Sequence, residues 1–101
     1  MIIEIAQIEI DPDHDHAFEV AVARAAPLFR DAKGFRSFAL MRSIERSGSY
    51  RLMVGWETVE AHTIDFLQSE AFRQWRALAG PFFLAPPVVE HVHQVFLDRI
   101  T

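Results

Sequence analysis

The chain has no cysteine, which removes disulfides, thiolate metal sites and cysteine nucleophiles from its chemistry. It also lacks any block of basic residues: ten Lys and Arg are scattered among fourteen Asp and Glu, for a net charge of −4. Nucleic-acid binding needs a concentrated positive patch, so that class of partner is not expected. No apolar run reaches the ~18 residues of a membrane-spanning helix, so no membrane partner is expected either. The opening MIIEIAQIEI carries acids and no basic leader, so it does not read as a signal peptide. Neither a GxGxxG nor a P-loop motif occurs, and nothing else calls for a nucleotide or other cofactor. The expectation is a cytoplasmic protein without cofactors.

What is present is apolar and aromatic. Half of the 101 residues are hydrophobic, and nine are Phe. A chain of this length forms one domain, residues 1–101, and buries only part of such a surface by itself. Some of the remainder is therefore expected to face a partner subunit.

The periodicity resolves into six elements. Ile2 to Ile10 reads as a strand, and Asp11-Pro12-Asp13 ends it and caps a helix. Phe18, Ala21, Val22, Ala25, Leu28 and Phe29 recur at helical spacing from about His14 to Ala32, with Pro27 a source of kinking and Gly34 a stop. Phe35 to Arg46 alternates as a second strand, Ser47-Gly48-Ser49 turns, and Tyr50 to Glu57 is a third. Glu57 or Thr58 can cap a second helix from about Val59 to Leu78, with a break near Gln68 and Ser69. Gly80-Pro81 closes it, and Pro86-Pro87 leads into a fourth strand, Val88 to Leu97.

The order β-α-β-β-α-β is that of the ferredoxin-like α+β fold, with an antiparallel four-stranded sheet, the first and third strands central and the fourth beside the first. Both helices then cover one face. Yet the strands are apolar on both sides: Ile3 and Ile5 oppose Ile2, Ile8 and Ile10, and Met53 opposes Leu52 and Val54. A second copy of the chain is the simplest cover for the bare face, which predicts a homodimer closing a dimeric α/β barrel.

The second half carries the chemistry. Trp56, Glu57, Thr58, Glu60, His62, Thr63, Phe66, Ser69, Phe72, Trp75, Arg76, Gly80-Pro81-Phe82-Phe83, Pro86-Pro87 and Val89-Glu90-His91 form a spaced set running across strand, helix and strand. In this set, and in length and strand order, the chain resembles the antibiotic biosynthesis monooxygenase (ABM) family of dimeric α/β barrels. The resemblance covers nearly the whole chain. Members of that fold include cofactor-free oxygenases of aromatic quinols, haem-degrading enzymes and an isomerase, so it identifies a fold more firmly than a reaction.

Each candidate has a plain reading beside its functional one. Trp56 ends an apolar strand and reads as core, while the resemblance implies a place in a substrate cavity. His62 reads as a helix-surface side chain or loop cap, or as a general base at a pocket mouth. His91 and His93 share a strand face, and a metal there would need a third ligand, for which Glu4 is the obvious candidate; a single catalytic or satisfied His91 without metal is the expectation. Arg76 reads as a salt-bridge partner of Glu70, Glu90 or a partner-chain acid, or as a clamp on a substrate anion. Phe66, Phe72 and Trp75 read as core or interface residues that also line an aromatic ligand's site.

Haem chemistry is not expected. The resemblance implies an axial His where this chain has Arg76, and a first-strand Asn near Ala6; an Arg stays protonated and cannot ligate iron. The functional expectation is a cofactor-independent monooxygenase acting on a small aromatic, quinol-like molecule. His62 or His91 would be its base, Arg76 its anion clamp, and Trp56, Phe66, Phe72 and Trp75 its aromatic surround. The alternative is a dimeric barrel that binds or isomerises a small molecule without oxygen.

Overall fold

A computed structural model describes residues 1–99. Four strands, β1 (Ile2–Glu9), β2 (Phe35–Arg42), β3 (Ser49–Trp56) and β4 (Val88–His93), form one antiparallel sheet in the order β2-β3-β1-β4. Two helices, α1 (Asp15–Arg30) and α2 (Glu70–Ala79), complete the ferredoxin-like order expected from the sequence.

Alternation builds the core. Glu4, Ala6, Ile8 and Ile10 from the first strand and its exit, with Tyr50, Leu52, Val54 and Trp56 from β3, are all buried. They face α1, which presents Phe18, Ala21, Val22, Ala25 and Phe29 at the spacing of one helical stripe. Phe29 lies at the centre, with ring centroids 4.6 Å from Phe38, 4.7 Å from Phe66 and 5.2 Å from Trp75. Pro27 sits inside α1, which it enters without ending it. Asp11 caps the first turn, its carboxylate accepting from the Asp13 amide at 2.9 Å.

Three departures from the expected boundaries have local causes. β2 stops at Arg42 because Ser43 to Gly48 form a longer turn, held by the Ser43 amide on the Ser49 carbonyl at 2.9 Å and by Gly48 at φ 78°. A Cβ on Gly48 would collide with the Ile10 carbonyl, so glycine is required there. β4 stops at His93, not Leu97, because His93 pairs with Ile2, where β1 begins. Val95, Phe96 and Leu97 then run on exposed.

The third departure positions the site. The segment after β3 is a π-helix, Ala61–Phe66, with the Leu67 amide bonded to the His62 carbonyl. Thr58 caps its approach through the Ala61 amide at 3.1 Å. The chain breaks at Ser69, whose hydroxyl donates to the Phe66 carbonyl at 2.6 Å and accepts from the Phe72 amide at 3.2 Å, restarting the chain as α2.

A bulge in β2 between Phe35 and Ser37 re-aims that strand, so Phe35 as well as Phe38 and Leu40 reaches the helix side. The opposite sheet face, with Ile3, Ile5, Ala39, Met53 and Val92, is only half-buried. Among the described residues no helix is long and apolar enough to cross a membrane.

Candidate functional site

Register brings the site together. Glu4 on β1 and His91 on β4 are direct cross-strand partners, so both side chains leave the sheet on the same side. Trp56 ends the neighbouring strand β3 on that side, and the π-helix lays His62 over all three.

The contacts form a chain. The Trp56 indole N–H donates to Glu4 Oε1 at 3.0 Å. His62 Nε2 lies 3.4 Å from the same oxygen, and His62 Nδ1 lies 2.8 Å from His91 Nε2. The Trp56 and His62 rings stack at 18° with centroids 5.7 Å apart. Glu4 and His62 are buried at 5% and 6% exposure, whereas His91 is half-buried.

Burial sets the charge states. Removing the Glu4 carboxylate from water pushes its pKa up to about 7, against the opposing pull of the Trp56 hydrogen bond. Burial, with the neighbouring His91, pushes His62 down to about 4. Near neutral pH the His62 imidazole is therefore uncharged, and the carboxyl is poised between its two forms.

A cavity of about 450 Å³ opens against this chain, a size suited to a small organic ligand. Glu4, His62 and His91 form its polar side; Phe72, Trp75 and Phe83 supply aromatic surface, and Arg76 lines it from α2. The Arg76 guanidinium sits over the Phe72 ring at 5.9 Å. A second groove of about 390 Å³ lies between the end of α1 and the start of α2, beside Lys33 and Asp65, and contains none of these groups.

The sequence candidates fall at different depths. His62, His91, Arg76, Phe72 and Trp75 line the one cavity. His62 is a buried group against Trp56, not the helix-surface side chain that was its plainer reading. Trp56 and Phe66, expected to face a substrate, are packed one layer behind the wall: Trp56 is fully buried under His62, and Phe66 packs at a tilt between Trp56 and Phe29. Their bulk fixes the wall without touching the space. Arg76 makes no ion pair among the described residues, and Glu70 instead pairs with Arg73 at 2.7 Å.

His93 is exposed opposite Ile2, away from the chain. Glu4 and His91 meet different nitrogens of His62, so the three groups are linked in series; among the described residues no group of three is arranged to hold a metal ion.

The role of Glu4, hydrogen-bonded to Trp56 and beside His62, was not read from the sequence. Its signal was an acid in alternation with apolar Ile2, Ala6 and Ile8, where a solvated strand face would not place it.

A ferredoxin-like domain with a histidine-backed apolar cavity defines the class. The antibiotic biosynthesis monooxygenase family model matches residues 1–78, and the chain belongs to that family. It is 47% identical to a protein of known structure from Bordetella bronchiseptica, provisionally named an antibiotic biosynthesis monooxygenase, with a TM-score of 0.92 over 94% of this chain and 97% of that one. It is 36% identical over 95 residues to the uncharacterised protein YczJ of Bacillus subtilis, covering 94% of this chain and all of that one. A similarly named Caulobacter crescentus structure shares the fold at a TM-score of 0.80 and 22% identity, over 94% of this chain and 90% of that one.

Proposed function

We propose that the protein is a cytoplasmic, cofactor-independent monooxygenase for a small aromatic molecule bearing an acidic hydroxyl, of the quinol type, and that it works as a homodimer. The observation carrying this reading is His91, half-buried on the wall of an apolar, aromatic cavity and backed by the neutral His62. His91 takes the hydroxyl proton, because a neutral imidazole is matched to that task near pH 7. The Arg76 guanidinium stabilises the resulting anion, and Phe72 and Trp75 hold the ring and exclude water. The electron-rich anion then reduces O₂ directly. One oxygen atom enters the ring and the other leaves as water, with both electron pairs supplied by the substrate.

The test is O₂ uptake with naphthoquinol- and anthrol-type substrates, without added flavin or metal. The expected result is one O₂ consumed per product, well above autoxidation. No turnover above that background contradicts the reading. A second reading, proton transfer within an enolisable ligand without O₂, is favoured by the same linked histidines; it predicts isomerised product at an unchanged O₂ level.

The dimer is supported by the half-buried apolar face of Ile3, Ile5, Met53 and Val92, over which no helix lies among the described residues, and by the exposed Val95-Phe96-Leu97. A charge at the centre of that face desolvates without a partner. Met53→Glu is therefore expected to shift the sedimentation coefficient to that of an 11.6 kDa monomer. A wild type that already sediments as a monomer contradicts the dimer.

A further inference from the structure

We propose that Glu4 is the terminal proton acceptor of the site: a ligand hydroxyl proton enters at His91, passes through His62 and comes to rest on the Glu4 carboxylate. The ligand is then held as its anion while the buried carboxyl becomes neutral. This inference rests on the cavity accepting an acidic aromatic hydroxyl, and it does not depend on any later reaction with O₂.

Donor and acceptor roles can be assigned consistently along the chain. Trp56 Nε1 can only donate, so Glu4 Oε1 accepts there at 3.0 Å. His62 Nε2 lies 3.4 Å from that oxygen, an ion-pair distance short of hydrogen-bond geometry; with Glu4 ionised, the His62 proton belongs on Nε2, facing the carboxylate, which leaves His62 Nδ1 as an acceptor. His91 must then donate from Nε2 across 2.8 Å, leaving its Nδ1 as the acceptor for a ligand hydroxyl.

The transfer balances. The ligand O–H breaks and His91 Nδ1 gains the proton; the Nε2 proton of His91 moves to His62 Nδ1; the Nε2 proton of His62 moves to Glu4. Both imidazoles end neutral with their tautomers reversed. One negative charge moves from the buried carboxylate to the ligand oxygen, beside Arg76.

The direction of that movement follows from the surroundings. A carboxylate at 5% exposure is poorly solvated and gains by taking a proton, as its upward shift to about 7 indicates. His62, shifted down to about 4, is a poor place for charge to stay. It therefore carries the proton without holding it. The ionisable groups that line the cavity with Glu4 are His62, His91 and Arg76, and the Arg76 cation favours an anion in the cavity over one behind it.

The experiment uses 4-nitrophenol, whose phenolate absorbs visible light and which does not consume O₂. It is bound at about pH 8, where Glu4 of the free protein is ionised. The expected result combines a bound phenolate spectrum with a new infrared band of a protonated carboxylic acid that shifts in D₂O. Because free 4-nitrophenol is already largely ionised at that pH, the proton that Glu4 gains comes from the buffer here, and calorimetry in buffers of different ionisation heat should report uptake of about one proton per probe.

The carboxylic acid band should vanish in Glu4→Gln. In His62→Phe, which keeps the carboxyl but replaces its polar neighbour with an apolar ring, Glu4 should already be protonated without the probe, so the band should be present throughout and no longer appear on binding; this variant serves if the first does not fold. Phenolate binding without the band, persistence of the band in Glu4→Gln, binding only as the neutral phenol, or no binding at all overturns the proposal. Loss of the band leaves the oxygenase reading intact, and absent O₂ uptake leaves a positive band intact, so the two failures are distinguishable.

Discussion

Replacing His91 with alanine is expected to lower O₂-coupled turnover of a quinol-type substrate by roughly a hundred- to ten-thousand-fold, the range of a positioned general base. The loss should fall on kcat. Phe72 and Trp75, which supply the apolar contacts of the cavity, remain in place, so KM should move little. The fold should survive, because β4 is an edge strand and its ladder to β1 runs through the backbone. His93→Ala, two residues along the same strand and exposed, should leave the rate within about twofold, since surface changes away from a site do little. Initial rates of the two variants side by side check this. A His91→Ala variant that turns over like wild type would falsify the assignment of the base.

The second large effect is on stability. In the folded protein Glu4 binds its proton more tightly than in the unfolded chain, with a pKa of about 7 against 4.5. Its contribution is therefore intact below about pH 4.5 and is lost as pH rises through about 7. That difference corresponds to a loss of roughly 3 kcal/mol once the carboxyl is fully ionised. Glu4→Gln keeps the shape and an oxygen for the Trp56 N–H but cannot ionise. The variant should match wild type near pH 4.5 and exceed its stability by up to roughly 3 kcal/mol near pH 8.

His62 acts with the opposite sign. Its pKa is depressed on folding from 6.5 to about 4, so its contribution is present above 6.5 and lost as pH falls through 4. It is present in both proteins and largely cancels in their difference. Urea unfolding at fixed protein concentration, needed because self-association would shift the midpoint, measures the comparison. A variant less stable than wild type at pH 8 would contradict the poorly solvated carboxylate.

The fold was legible because each element carried its own signal. The stripe Phe18-Ala21-Val22-Ala25-Phe29 has helical spacing, β3 alternates, and Asp11 occupies a capping position, whereas Ser69, read only as a break in one longer helix, is the cap of α2. Element ends were less legible, because they depend on partners elsewhere in the chain. The Val-Phe-Leu run after His93 looks like strand by composition, yet β1 has no residue left to pair with it.

The site was legible as a set of residue types, but its depth was not. His62 and Phe66, four residues apart, lie on one face of the segment between β3 and α2. Only the meeting of that face with β1 and β3 makes His62 a buried link and sets Trp56 behind it instead of on the wall. Glu4 became interpretable once its register with His91 was known.

The most direct measurement of the central claim is a crystal structure of the protein with a dihydroxynaphthalene bound. The account predicts the ring in the cavity between Phe72 and Trp75, one hydroxyl oxygen within about 3 Å of His91 Nδ1 and the Arg76 guanidinium turned toward that oxygen. A ligand seated instead in the groove by Lys33 and Asp65, or one in the cavity with its hydroxyls turned away from His91, would contradict it.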